Sequence, residues 1–508
     1  KLLNLTLKSS VMSWVMRKRM HQIDLFRKYP HEVQEEWLYK LIRKAQNTDW
    51  GKEYGYAGIQ TYEQFRTQIP ISKYEAVEAR IESIRKGKQN VLWPTETKWF
   101  AKSSGTSNSK SKYIPVTQES LIDCHFKGGK DMLSIYCDNF PDTKIFNGKS
   151  LILGGSHEPS LNEEGKDGDL SAIIVDNLPL WVNIHRTPSK DITLMNDFEE
   201  KIEKMASISS QENVTTIAGV PSWMLVLFQR ILEKTGAQNI HEVWPNLELY
   251  MHGGVSFAPY QEQFDALLPK GVHYLETYNA SEGFFGIQDQ KESKEMLLML
   301  NYGIFYEFIP MDAFEKQEVI PIWEVEKGIN YAMVISTNTG LWRYLIGDTV
   351  TFTSTEPYRI KITGRTGQFL NTFGEELIMD NTEKALLIAC KKTNASIKEY
   401  SVAPIFMDDK NKGGHEWIIE FDRNPEKMDF FGYALDDALK SINSDYEAKR
   451  YKNMALQKPL IHQAKEGLFY QWMKQQGKLG RQFKVPRLSN ERTHLESLLK
   501  LNNEALNS

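Results

Sequence analysis

The sequence predicts an α/β protein with a large N-terminal domain of mixed, mostly parallel sheets, a β-rich subdomain within it, and a small α+β C-terminal domain. Three observations lead there. The middle third alternates short apolar runs with helical patterns, residues Tyr331 to Ile362 crowd β-like runs together, and the glycine-flanked connection Gly364-Arg365-Thr366-Gly367 precedes a final set of strands and helices. A length of 508 residues allows roughly two to four domains, each large enough to bury a core without staples.

From Ser10 to Asn47 apolar residues recur at helical spacing, among them Trp14, Val15, Ile23, Phe26, Trp37, Leu38 and Leu41, and Pro30 interrupts the run, so two helices are expected to open the chain. Strands are then expected at Ser150 to Leu153, Ala172 to Val175 and Thr215 to Ala218, with a helix over Ser222 to Lys234. The β-rich part contributes Tyr331 to Thr337, Thr349 to Phe352 and Tyr358 to Ile362, broken by Gly340, Gly347 and Pro357. Beyond the connection, strands are expected at Tyr400 to Phe406 and Trp417 to Phe421, and helices from Phe430, Pro459 and Asn490. Asn162 to Asp169 and Asp408 to Gly414 read as polar, mobile loops.

Composition narrows the function classes. Hydrophobic residues at 41% and charged residues at 25% describe an ordinary globular chain. Lys plus Arg number 62 against 66 Asp plus Glu, a net charge of -4 with no long basic run, so nucleic acid is not an expected partner. Cys124, Cys137 and Cys390 are widely spaced with no Cys-x-x-Cys pair, which argues against a disulfide framework or zinc site and for a reducing, cytoplasmic setting. The stretch Lys1 to Met20 mixes apolar and basic residues without an apolar run of about 18 residues, so neither a membrane span nor a signal peptide is expected there. The absent initiator Met suggests numbering that starts inside the natural chain.

Three segments carry chemistry. Ser103-Ser104-Gly105-Thr106-Ser107, after Trp99-Phe100 and before Lys110, Lys112 and Pro115, is a run of small residues whose N–H groups and hydroxyls can face phosphate oxygens, with lysine charge at its end. A solvated Ser/Thr/Gly loop has the same composition. It is not a Walker A loop, because Lys110 follows Gly105 by five residues with no second glycine. In the second segment, Tyr278-Asn279-Ala280-Ser281-Glu282-Gly283, a short strand from His273 to Leu275 would deliver Glu282 to a sheet edge. One carboxylate there suffices for magnesium, which takes one or two protein carboxylates plus substrate phosphates; an exposed Glu is the plainer reading. In the third, Gly340-Leu341-Trp342-Arg343-Tyr344-Leu345-Ile346-Gly347-Asp348, the carboxylate of Asp348 can accept from both hydroxyls of a ribose or can simply pair with Arg343.

Taken in chain order, the three segments resemble the nucleotide motifs of the Gretchen Hagen family of acyl acid amido synthetases, a branch of the adenylate-forming superfamily that includes firefly luciferase and acyl-CoA ligases. Lys112 stands at the lysine position of the phosphate loop, Tyr278 to Gly283 matches Tyr-x-x-Ser-Glu, and Tyr344 to Asp348 matches Tyr-x-x-Gly-Asp. Trp244-Pro245-Asn246 leading to Gly253-Gly254-Val255 resembles the segment bordering adenine, and Gln482-Phe483-Lys484-Val485-Pro486-Arg487 resembles a C-terminal Gln-Tyr-Lys-x-Pro-Arg element. The chain departs from plant members at Ser109, where they carry Gly, and at Leu345, where they carry Arg.

The resemblance implies the adenylate-forming fold, with an N-terminal domain over residues 1–364 that holds the ATP and acyl sites and a mobile lid over residues 365–508 pivoting near Gly364 and Arg365. It implies ATP and Mg2+ as cofactors, a small carboxylic acid as substrate and an amino acid or other amine as acceptor. Ser103 to Ser107 and Lys112 would hold phosphates, Glu282 magnesium, Asp348 the ribose, and Gly253, Gly254, Val255, Thr277, Tyr278, Ser281 and Arg365 the rest of the nucleotide. Lys484 is the expected catalytic lysine of the lid; Gly477-Lys478-x-x-Arg481 mimics the terminal element of acyl-CoA ligases and makes Lys478 its rival. An acyl-CoA ligase, or a nucleotide-binding regulatory protein without turnover, are the alternatives. His157, His185 and His252 lie near these segments, and none is assigned as a base.

Overall fold

The computed structural model describes residues 2–103, 112–155, 166–178, 182–183, 185–254, 257, 261–268, 271–366, 369–370, 373, 375, 377–407, 412–451, 456–475 and 487–504. The chain opens with three helices, Leu2–Arg17, Met20–Lys28 and Pro30–Ala45, where the pattern predicts two. Pro30 starts the third helix, a position where its missing N–H leaves no intrahelical bond unmade. The extra break, at Lys18-Arg19, lets Arg19 turn inward onto the buried Asp131, at 2.6 Å, which also accepts from the Tyr302 hydroxyl at 2.9 Å. Arg27 and Arg359 clamp Asp289 in the same way, each at 2.8 Å, tying the helices to the sheet behind them.

Strands β1 (Thr97–Ser103), β2 (Lys112–Thr117), β3 (Lys149–Leu153), β4 (Lys166–Gly168), β5 (Arg186–Thr187), β6 (Val214–Gly219), β7 (Leu249–His252) and β8 (His273–Ala280) come first. They are followed by β9 (Gly283–Gln288), β10 (Met296–Leu298), β11 (Ile304–Pro310), β12 (Ile320–Pro321), β13 (Asn330–Thr337), β14 (Tyr344–Thr355) and β15 (Tyr358–Arg365). Strands β2, β1 and β4 form a small sheet; the others form one 12-stranded sheet in the order β12-β11-β13-β14-β15-β10-β9-β8-β7-β6-β3-β5. From β8 to β5 neighbours run parallel, and from β8 to β12 they run antiparallel. The β-rich part is therefore the antiparallel half of a single continuous sheet, joined to the parallel half at β8. Helices Phe198–Ser209, Pro221–Thr235 and Gln261–Leu267 link the parallel strands, as crossovers require.

Several expectations are corrected, among them the loop expected over Asn162 to Asp169, which contains β4. Ala172 to Val175 is helical, within Leu170–Asp176, with Ala172, Ile173 and Val175 buried; a short apolar run has no periodicity that separates a buried turn of helix from a strand. The segment after Pro459 is a strand, not a helix. β16 (Phe369–Leu370) and β17 (Leu377–Ile378) form a short ladder, and β18 (Ser396–Ile405), β19 (Gly414–Arg423) and β20 (Leu460–Gln463) form a three-stranded sheet with β20 at its edge, beside helices Met379–Thr393 and Met428–Ile442. Pro459 sits just before an edge strand, where a missing donor is tolerated. Gly364 and Arg365, expected in the connection, still belong to β15. Leu370, Phe373 and Leu377 share one apolar cluster with Phe228, Trp244 and Phe264, so the connection packs on the parallel half. Among the described residues no helix is long and apolar enough to cross a membrane.

The start of β14 is fixed by a buried ion pair. Arg343, at φ 43°, donates from Nε and Nη2 to the two Glu307 oxygens at 2.9 Å each, and from Nη1 to the Arg66 and Ile69 carbonyls at 2.7 Å. The Tyr62 hydroxyl donates to the same carboxylate at 2.9 Å, and burial followed by the Glu307 charge keeps its proton in place far above the usual range. Glu307→Ala would strand the Arg343 charge in the core. The expected loss is about 3–5 kcal/mol of unfolding free energy, read as a lower urea midpoint with an unchanged slope; a midpoint equal to the parent's would contradict the assignment.

Candidate active site

In open parallel sheets ligands settle beyond the carboxyl ends of the strands, and two of the sequence-predicted segments meet there. The chain leaving β7 lies flush against β8: a Cβ on Gly253 would collide with the Thr277 carbonyl oxygen, and Gly254 follows at φ 83°. The Thr277 hydroxyl donates to the His252 carbonyl at 3.2 Å, locking this edge. Only a residue without a side chain fits at Gly253.

One residue beyond Thr277, the Tyr278 hydroxyl donates to Asp348 Oδ2 at 2.6 Å. Tyr278 and Asp348 are both buried, on β8 and β14, so the second and third segments converge although 70 residues separate them. Arg343 is bound to Glu307, which excludes the plainer reading of Asp348 as its partner. Across the ladder Asp348 faces Arg365, and the Thr366 amide donates to the Gly347 carbonyl at 2.7 Å, so β14 and the end of β15 hold each other in register.

Glu282 lies at a turn rather than a sheet edge. Ala280 pairs with Gly283, leaving Ser281 and Glu282 as a two-residue hairpin between β8 and β9 in the middle of the large sheet, with Glu282 buried. Beneath the hairpin the Phe284 amide donates to Cys124 Sγ at 3.1 Å. Cys124 comes from the π-helix Leu121–Phe126, a rare element that turns the thiol toward a strand. Burial pushes that thiol up to about 12, so it is a packed acceptor and not a nucleophile.

Of the first segment only Ser103 and Lys112 are described. Ser103 ends β1 and pairs with Lys112 at the start of β2; Ser104, Gly105, Thr106 and Ser107 lie outside the described residues, as do Val255, Lys478 and Lys484. Lys112 Nζ stands 5.7 Å from the Tyr74 ring centre, and the Tyr74 hydroxyl accepts from the Tyr113 amide at 2.9 Å. Ser72 bonds the Trp342 carbonyl and the Leu345 amide at 2.8 Å each. The β1–β2 pair that bears Ser103 and Lys112 is thus braced, through Tyr74 and Ser72, to the strand that carries Asp348. Arg365 is placed by its backbone in β15.

The histidines and aromatics are mostly packed groups. His252 stacks on Phe257 with ring centres 4.1 Å apart, and burial holds it down to about 3, so it stays neutral. Phe284 and Phe285 are core residues; His157 lies outside the described residues. Two lysines that the sequence reading passes over stand near the strand ends. Lys201 is fully buried and donates to the Gly154 and Gly155 carbonyls at 2.7 and 2.9 Å, and Lys449 Nζ lies 4.3 Å from the Trp223 ring centre.

Models of the GH3 family N-terminal, central and C-terminal domains match residues 19–272, 297–365 and 380–493. The chain belongs to the GH3 family. Its GH3 relatives include the indole-3-acetic acid-amido synthetase GH3.3 of Arabidopsis thaliana, 21% identical over 538 residues covering 90% of this chain and 89% of that protein. Among solved structures it is similar to the GH3.15 acyl acid amido synthetase, with a TM-score of 0.61 at 16% identity over 96% of each chain. It also resembles 2-hydroxyisobutyryl-CoA ligase in complex with 2-HIB-AMP and CoA, with a TM-score of 0.52 at 13% identity over 95% of this chain and 93% of that one. At such identities the structural likeness carries the adenylate-forming α/β fold, which matches the architecture expected from the sequence.

Gly253 and Gly254 separate two kinds of glycine requirement in this GH3 chain. Gly253→Ala meets backbone and is expected to cost about 1–3 kcal/mol, whereas Gly254→Ala, whose Cβ finds only Val220 at 3.6 Å, carries the left-handed penalty of about 1–2 kcal/mol. Urea titration of both variants checks the order; Gly253→Ala at parental stability would mean the strand ends are not in contact.

Proposed function

We propose that the chain joins a small carboxylic acid to an amino acid in two half-reactions at the strand-end site. In the first, an acid carboxylate oxygen attacks the α-phosphorus of ATP, the bond to the bridging oxygen of pyrophosphate breaks, and acyl-adenylate remains. In the second, the amine nitrogen attacks the acyl carbon, the C–N bond forms, the bond from that carbon to the AMP oxygen breaks, and the nitrogen loses its proton. The carboxylate already carries its nucleophilic charge, so catalysis rests on positioning and charge stabilisation.

The observation that carries this reading is the 2.6 Å contact of Tyr278 with Asp348, beside the flush approach of Gly253 to Thr277. Tyr278 occupies one carboxylate oxygen of Asp348 and orients the group to accept from ribose hydroxyls. Gly253, Gly254 and Val255 flank the adenine, Thr277, Tyr278 and Ser281 line the nucleotide on the β8 side, and Arg365 borders it from β15. Ser103, Ser104, Gly105, Thr106 and Ser107 with Lys112 hold the phosphates. Among the described residues no group of three or more metal-ligating side chains occurs, and none is needed: Glu282 at the hairpin turn suits a magnesium ion that takes a single carboxylate and otherwise phosphate oxygens and water. Bound there, magnesium supplies positive charge to the phosphates.

Residues 365–508 form the lid in this reading, pivoting after β15, and Lys484 is the lysine it brings to the phosphates. Closure keeps water from the mixed anhydride. Cys124, Cys137 and Cys390 are free thiols, in keeping with a cytoplasmic enzyme.

The test is ATP- and magnesium-dependent formation of acyl hydroxamate from a panel of acids in the presence of hydroxylamine, with amino acids and coenzyme A as competing acceptors. Amino acids are expected to consume the adenylate. Asp348→Ala should raise the ATP KM about tenfold or more, while Lys484→Ala should lower the adenylation kcat about a hundredfold with a smaller effect on KM. Unimpaired hydroxamate formation in both variants would overturn the assignments.

A further inference from the structure

The loop leaving β3 is held in a cationic setting that the two half-reactions above leave unexplained. Gly154 and Gly155 extend β3 past its pairing with β6, where Leu153 faces Gly219. Lys201, from the helix Phe198–Ser209, reaches under the loop and donates to both glycine carbonyls. The Gly155 amide donates to Ser171 Oγ at 2.8 Å, and a Cβ on Gly155 would collide with the Asp169 carboxylate. The loop is therefore fixed from both sides and fits only small residues.

Lys201 is an expensive choice for a bracket. A buried ammonium loses its hydration, and backbone carbonyls restore only part of it. Burial first, opposed by Asp169 and reinforced by the charge of Lys449, lowers its proton affinity to about 8. Lys449 comes from the helix Ser444–Arg450 and is half-buried on the Trp223 indole face. Trp223 in turn donates from Nε1 to the Phe373 carbonyl at 3.1 Å. It stands in the first turn of the helix Pro221–Thr235, which follows β6 and has no side-chain cap at Val220. A second cation thus approaches a buried one at a positive helix end, with Asp169 as the compensating carboxylate. Lys201 and Lys449 against Asp169 leave a net positive charge beside that helix end, which favours an incoming anion.

The chemistry selects which anion. The acid that is activated loses its charge on becoming an acyl group, and the phosphates of ATP and of the adenylate are met in the reading above by Ser103 to Ser107 with Lys112 and Lys484. The α-carboxylate of an acceptor amino acid keeps its charge through attack and into the product. Lys449 also belongs to the C-terminal segment, the part that closes after adenylation in the reading above, which places it on the side from which the acceptor enters.

We infer that Lys449, with Lys201 behind it and the Trp223 helix end alongside, binds the α-carboxylate of the acceptor amino acid and so selects amino acids over uncharged amines. The inference rests on the proposed activity and deepens it. Lys449 grips the carboxylate, the Trp223 ring beneath its Nζ holds the ammonium in place, and Lys201 is a positioning residue that fixes the Gly154-Gly155 loop.

The experiment compares an amino acid with its carboxamide as acceptors, in the full chain, for the parent, Lys449→Met and Lys449→Arg, with amide formation normalised to acyl hydroxamate formed by the same preparation. The parent is expected to favour the free acid about tenfold or more in kcat/KM. Lys449→Met should bring the two acceptors level through a rise in the amino-acid KM, and Lys449→Arg should restore the preference, which a merely structural role would not do. Parental preference in Lys449→Met, or equal losses for both acceptors, overturns the inference alone. Transfer to coenzyme A and not to either amine overturns it in favour of a thioester-forming enzyme. Absence of hydroxamate in the parent overturns the underlying activity as well, and the two failures are distinguishable by that control.

Discussion

The Tyr278 hydroxyl donates to Asp348 at 2.6 Å, and the rest of the site is arranged around this contact because it joins the two halves of the large sheet. β8 is the last parallel strand and the first antiparallel one, and it carries Thr277 against the chain leaving β7 and Tyr278 onto the acidic residue of β14. A buried carboxylate at that junction requires hydrogen-bond partners. Tyrosine meets the need by filling one oxygen through a rigid ring packed in the core. The buried Arg343–Glu307 pair does the complementary work at the start of β14, where it anchors the strand without neutralising Asp348.

Much of this organisation is legible in the sequence, for reasons that differ from element to element. The strand at Thr215 to Ala218 and the helix after Pro221 stand out because period and punctuation agree. The run Ala172 to Val175 misleads because four apolar residues satisfy a helix turn and a strand equally well, and burial beneath β1 decides for the helix. Pro459 misleads because proline opens an edge strand as readily as a helix. The pairing of Tyr278 with Asp348 is foreshadowed only by the order of the motifs, since no local pattern says that residues 70 apart share a hydrogen bond.

Lys201 and Lys449 mark where sequence reading ends. Each sits on a short amphipathic helix among other charged residues, the pattern of a solvated face. What distinguishes them is tertiary: one is covered by a glycine loop and the other is held on an indole from a distant part of the chain. Charges become informative when burial makes them costly, and burial is a property of the packed chain. The same reasoning explains Cys124, which reads in the sequence as one of three widely spaced thiols and proves to be the acceptor beneath the Glu282 hairpin.

The central claim is that a nucleotide is gripped where Tyr278 and Asp348 meet. A double-mutant cycle on ATP affinity, with Tyr278→Phe, Asp348→Asn and their combination measured by titration calorimetry, tests it most directly. The account predicts weaker binding in each single variant and a coupling energy above about 1 kcal/mol. Parental affinity in both single variants, or strictly additive losses, would contradict it.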